Sequence, residues 1–309
     1  MKYSLIILFL FLTCSVPQTK VDVKKSELNL EKVLWVNATS GLNLRTLPNQ
    51  QGEKMALLPY RTFINILESE KRIVTIEGIR GNWVKIITED GLIGWVFNGF
   101  LSKTLPRETG YWGIPNHLTI HWKGIGNSNN CYDTIESKIF EKIKYTNSVK
   151  RNKNLLTLSF ENGQQINLKN NSEEITYILI DYIESINYFV LALQYFEGSD
   201  FRLISKQTGA YTNLAKYPAI SQDGNTIVDA SYCSSPGYCS TTFVIYKIEK
   251  NGMIAAVLRK DEEMGQYDDV LWFDNSSFFV NKYIDEGKSK TILFTKLEKK
   301  WIEREYKAE

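Results

Sequence analysis

At 309 residues the chain has room for about two domains, and 43% hydrophobic with 13% aromatic content excludes a low-complexity or disordered polymer. Basic residues number 37 and acidic residues 35, so no global field exists to hold a polyanion, and nucleic-acid binding is disfavoured. The basic cluster in KIKYTNSVKRNK (142–153) fits a solvated loop.

At the N-terminus, Met1-Lys2 precedes an unbroken apolar run from Leu5 to Leu12, ending at Thr13-Cys14. The run is too short for a bilayer-spanning helix, which takes about 20 apolar residues, and has the length of a signal-peptide core. A cysteine directly after it, followed by Ser15, resembles a bacterial lipoprotein signal. That resemblance implies a signal peptide over 1–13 and a lipid on Cys14, although Phe11 and Thr13 depart from the usual residues of the motif. Ordinary secretion with removal of Cys14 is the alternative. Either route exports the chain, and the polar segment 14–32 becomes a tether.

Residues 33–103 then form short apolar runs separated by turn residues. Val33–Ala38 is nearly continuous, as for a strand buried on both faces, and Leu42 and Leu44 share one face of the next strand. Further runs follow at 53–59, 61–69, 72–78, 82–88 and 92–101. Pro48-Asn49, Gly78, Gly81-Asn82, Asp90-Gly91 and Asn98-Gly99 supply the turns. About six strands in roughly 70 residues predict a small β-barrel.

Leu42-Asn43-Leu44-Arg45, then Trp83-Val84-Lys85, then Gly91, Gly94-Trp95-Val96 and Phe100-Leu101 resemble the bacterial SH3 domain in order and spacing. One departure is Pro59-Tyr60-Arg61, which replaces the usual turn before the third strand. The resemblance implies a binding module for cell-wall peptide or an envelope protein partner. The two tryptophans lie on the strands of one hairpin, so one can plug the barrel while the other borders a groove. Arg45, next to inward Leu44, points outward. Arg45, Trp83 and Trp95 are therefore the candidate ligand-binding residues. A purely structural barrel, serving as spacer or docking face, is the competing reading.

From 104 to 309 the chain repeats itself. Units at 185–214, 217–258 and 267–304 each hold an apolar strand, a polar turn, an aromatic strand, a tight turn and a last strand. The tight turns Gln207-Thr208-Gly209 and Asn251-Gly252 are spaced as in four-stranded propeller blades. PAISQDGNTIV also resembles the strand start of bacterial propeller repeats, through Ser221, Asp223 and Gly224. Another hairpin centres on Asn162-Gly163. Three or four units do not readily close a ring, so a small propeller, an open partial one and a sandwich of similar hairpins all remain open. The fold class is all-β in each case. Such a domain would serve as a platform for a protein or saccharide partner.

Export makes a local disulfide between Cys233 and Cys239 plausible across the SSPGY loop, with Cys131 as an alternative partner. His117 and His121 lack the glutamate of a zinc-protease motif, since Leu118 stands there. Cys131 with His117 or His121 offers a nucleophile–base pair for an envelope hydrolase or its accessory subunit. In the wall endopeptidases, however, the cysteine precedes its histidine and starts a helix. Phosphate loops and nucleophile elbows are missing. The expectation is a non-catalytic binding protein without metal or cofactor, touching membrane only through a lipid anchor.

Overall fold

A computed structural model describes residues 28–108, 136–141, 143, 147–171, 174–196, 198–233, 240–260, 266–285 and 288–308. Cys14, His117, His121, Cys131 and Cys239 lie outside these residues. The protein is all-β, with 60% strand and 6% helix. Two compact units divide it, 1–101 and 102–309.

The first unit is a curled seven-stranded sheet in the order β3-β2-β6-β5-β4-β1-β7. Its strands are β1 (Val33–Val36), β2 (Leu42–Arg45), β3 (Lys54–Leu58), β4 (Phe63–Ile76), β5 (Ile79–Thr88), β6 (Ile93–Phe97) and β7 (Leu101–Ser102). Alternation places Val36, Leu42, Leu44, Ile64, Val84, Ile86 and Val96 together in the core. Two sequence expectations are corrected. The runs 61–69 and 72–78 are one strand, β4, which bulges after Ile66 and again between Ser69 and Ile73 instead of turning. Gly81-Asn82 is not a turn but lies inside β5; the reversal is made by Glu77 and Gly78, both at positive φ, with Ile76 paired to Ile79. Gly81 is there for proximity, since a Cβ would sit 2.5 Å from Asn98 Oδ1 and 3.0 Å from the Gly99 nitrogen.

Among the described residues the second unit contains four successive antiparallel sheets. The first has three described strands, β8 (Val149–Asn152), β9 (Leu155–Ser159) and β10 (Gln165–Lys169). The next is β11 (Thr176–Ile183), β12 (Tyr188–Tyr195), β13 (Gly198–Ser205) and β14 (Tyr211–Leu214). Then come β15 (Ala219–Ile220), β16 (Thr226–Ser231), β17 (Thr242–Ile248) and β18 (Ile254–Lys260). The last is β19 (Tyr267–Trp272), β20 (Ser277–Asp285), β21 (Lys288–Leu297) and β22 (Lys300–Glu305). Each of the four-stranded sheets is a simple meander whose strands pair in chain order.

Hydrogen bonds tie each sheet to the next. The Glu161 and Asn162 amides donate to the Lys206 and Gln207 carbonyls at 2.9 and 3.2 Å. Tyr188 Oη donates to the Gly252 carbonyl at 2.6 Å, and Trp272 Nε1 to the Ala219 carbonyl at 3.1 Å. Apolar packing follows the same order. Leu156, Leu158, Leu191, Leu193, Ile227 and Val244 share one cluster, and Val228, Phe243, Phe278 and Phe294 another.

A short connector, Ala215–Tyr217, is held by carboxylates of three sheets. The Ala215 and Lys216 amides donate to Asp229 on β16. Lys216 Nζ pairs with Asp268 on β19, and Tyr217 Oη donates to Asp181 Oδ2 on β11 at 2.6 Å. Asp181, Asp229 and Asp268 are all buried, which polar groups tolerate only when satisfied in this way. Asp268 and Asp269 take separate partners. Asp268 goes to Lys216, whereas Asp269 accepts from the Glu108 amide at 2.7 Å and from Asn281 Nδ2 at 3.3 Å.

Candidate functional site

The loop after β2 builds one side of the site. Asn49 Oδ1 accepts from the Gln51 and Gly52 amides at 2.9 and 2.8 Å, closing the polar turn that Pro48 begins. Arg45 Nη1 donates to the Gly52 carbonyl at 2.8 Å. Arg45 therefore points outward beside a fully buried Leu44, with one arm of its guanidinium spent on holding its own loop.

Register then aligns four strands. Arg45 is the cross-strand partner of Trp95 on β6, and Trp95 in turn is the partner of Lys85 on β5. On the other side Arg45 pairs with Lys54 on β3. A bulge causes this last pairing, since Leu44 opposes Ala56 but Arg45 skips Met55 to oppose Lys54. The outer face thus carries the row Lys54–Arg45–Trp95–Lys85, spanning about 14 Å at the ordinary strand spacing. Trp95, Arg45 and Lys85 are half-buried and Lys54 is exposed. Among the described residues neither Lys54 nor Lys85 forms an ion pair.

Trp83 lies on this same outer face, opposite Phe97 in the register, and not in the core with Val84. It is nevertheless closed off, at 6% exposure, with the Phe97 ring 6.2 Å away and Phe100 a further 5.7 Å beyond. The structure brings Arg45 and Trp95 together as neighbours. Trp83 stands next to them as a packed support with almost no accessible surface.

Sequence reasoning did not include Lys54 and Lys85 among the site residues. Lys85 was legible through strict alternation from Trp83. Lys54 was not, because its place in the row depends on the bulge at Met55. Gly94 permits the closure. A Cβ there would meet the Arg45 carbonyl oxygen at 2.9 Å and the Leu44 side chain at the same distance.

A row of cations around a half-buried indole can take a carboxylate-bearing chain, through charge at the lysines, hydrogen bonding at Arg45 and stacking on Trp95. Among the described residues no group of three His, Cys, Asp or Glu converges on a metal-sized site.

Residues 40–102 match the family model of the bacterial SH3 domain. This match covers β2 through β7 and includes every member of the row. No curated protein and no solved structure matches the chain significantly.

Proposed function

We propose that this is an exported, non-catalytic binding protein of the cell envelope, and that its SH3 domain recognises carboxylate-bearing cell-wall peptide or an acidic segment of an envelope protein. Bacterial SH3 domains commonly bind cell-wall components and are typical of extracellular or envelope proteins. The observation that carries the reading is the Lys54–Arg45–Trp95–Lys85 row, in which an accessible indole is flanked by cations that no carboxylate of the described residues neutralises. Peptide stems of a bacterial wall offer free carboxylates along an extended chain, which matches a linear row better than a deep pocket does.

The apolar leader and Cys14 support export with a lipid anchor, and the Cys233–Cys239 pair belongs to the same oxidising setting. The repeated four-stranded meanders of the second unit support a propeller-like platform.

The test is retention of the soluble chain, begun after Cys14, on purified peptidoglycan. Wild type should be retained in low salt and released as ionic strength rises. Trp95→Ala and the double change Lys54→Glu, Lys85→Glu should both pass through. Equal retention of all three would discard the row as the binding face, and failure of the wild type to bind would discard wall peptide as its ligand.

A further inference from the structure

A second surface, in the 102–309 unit, has the makings of a ligand site of a different kind. One face of the β11–β14 sheet carries Tyr177, Tyr195, Arg202, Tyr211 and Asn213 on neighbouring strands. Arg202 pairs directly with Asn213, and Tyr211 opposes Ile204, two residues along from Arg202 on the same face. Tyr177 opposes Leu193, which shares that face with Tyr195. The Arg202 guanidinium lies 4.4 Å from the Tyr211 ring centroid and 5.9 Å from that of Tyr177. Its Nε donates to Asn213 Oδ1 at 2.8 Å.

This arginine is fixed in place but not used up. Two rings and one amide hold it, and among the described residues no carboxylate pairs with it. Asp200, two residues before it on β13, sits against the Tyr195 phenol. The rings are open to solvent, Tyr195 at 37% and Tyr211 at 55%, and Phe196 at the adjoining turn is 88% exposed. Apolar residues scattered singly over a surface need no explanation, but two tyrosine rings around a preorganised arginine, with Tyr195 and Asp200 further along the same face, mark an interaction site.

The charge content selects the ligand. Asp200 and Arg202 cancel, so the face carries no net charge to hold an anion or a cation. Donors and acceptors alternate within two residues, and flat apolar rings border them. A ligand that presents hydroxyls to both signs and C–H faces to tyrosine rings satisfies all of these groups at once. We propose that this face binds a neutral saccharide chain. The three tyrosines supply stacking, Arg202 donates to ring or hydroxyl oxygens, and Asp200 and Asn213 accept from hydroxyls. Because Arg202 is held before binding, little side-chain entropy is lost when the sugar docks.

The site is independent of the Trp95 row, and the experiment keeps the two apart. Saturation-transfer NMR on the soluble chain would use neutral hexasaccharides of glucose and of N-acetylglucosamine as probes, with polygalacturonate as the charged comparison. Transfer to C–H protons of at least one neutral probe is expected. Tyr211→Ala and Arg202→Gln should weaken that binding at least tenfold with unchanged thermal melting, and Trp95→Ala should leave it intact. No transfer from either neutral probe, a response to polygalacturonate alone, or undiminished binding by Tyr211→Ala would each overturn the proposal.

Discussion

Arg45 and Trp95 stand directly opposite one another across β2 and β6, the junction that joins the opening strand of the SH3 domain to its last hairpin. Arg45 is held to the Gly52 carbonyl behind it. Trp95 therefore stands opposite a cation whose position is set by its own loop.

The two tryptophans of the hairpin should separate into a binding residue and a packing residue. Trp83→Ala empties a buried site and should cost about 3–5 kcal/mol of stability, read from urea midpoints. Trp95→Ala should cost far less and abolish retention on peptidoglycan. Equal destabilisation by the two changes would contradict the assignment.

Gly94 should tolerate no side chain. A Cβ there would stand 2.9 Å from the Arg45 carbonyl oxygen, which belongs to backbone and cannot swing aside. Gly94→Ala should destabilise the domain by about 1–3 kcal/mol. Gly78→Ala supplies the contrast, because nothing lies within 4 Å of its Cβ position and only its positive φ is strained. Its cost should come out smaller.

Asp229 should make the second unit less stable as pH rises. Burial pushes its carboxyl up from 3.8 to about 6, and the Ala215 and Lys216 amides offset only part of that. Between those two values the folded chain keeps a proton that the unfolded chain has released. Stability is therefore fullest below pH about 4 for this group and declines until pH passes about 6, by roughly 3 kcal/mol in all. In Asp229→Asn this decline should disappear while an acceptor for the connector amide remains. Urea midpoints at pH 4.5 and pH 7 in both proteins give the comparison, and an unchanged difference between the two pH values would rule the attribution out.

Lys216 should matter more for its partner than for itself. Its removal leaves Asp268 buried without a counter-charge, a change on the order of 3 kcal/mol or more. Replacing both, Lys216→Met with Asp268→Leu, should recover most of that loss in a denaturation cycle. No recovery would mean that the connector needs the ion pair itself.

Intact mass of the protein purified from membranes reads the proposed processing. A chain beginning at Cys14 with acyl groups attached is expected, gaining two hydrogen atoms on reduction if Cys233 and Cys239 are joined. A chain beginning beyond Cys14 would replace the anchor with plain secretion.

Most of the all-β architecture was legible in the residues. Alternation at Leu42 and Leu44, and the turn glycines Gly91, Gly163, Gly209 and Gly252, are local signals that survive any tertiary context; five of the strands of the first unit and two of the repeated meanders fall where such signals place them, whereas the first meander also takes in β11, ahead of the expected start at residue 185. The fusion of 61–69 with 72–78 was not legible, because a bulge and a turn draw on similar residues.

Alternation puts Arg45, Trp83, Lys85 and Trp95 on one outward face, against the expectation that one of the tryptophans plugs the barrel. It could not say what covers that face. Only the folded chain laid Phe97 over Trp83 and left Trp95 accessible. Only pairing with a bulge brought Lys54, and not Met55, beside Arg45. Asp181, Asp229 and Asp268 are ordinary polar letters in the sequence, yet they meet at Ala215–Tyr217 from three different sheets. Period and turn chemistry act between neighbours in the chain and so are written there. Cover, register and the convergence of distant carboxylates arise between strands far apart in sequence, and tertiary packing alone decides them.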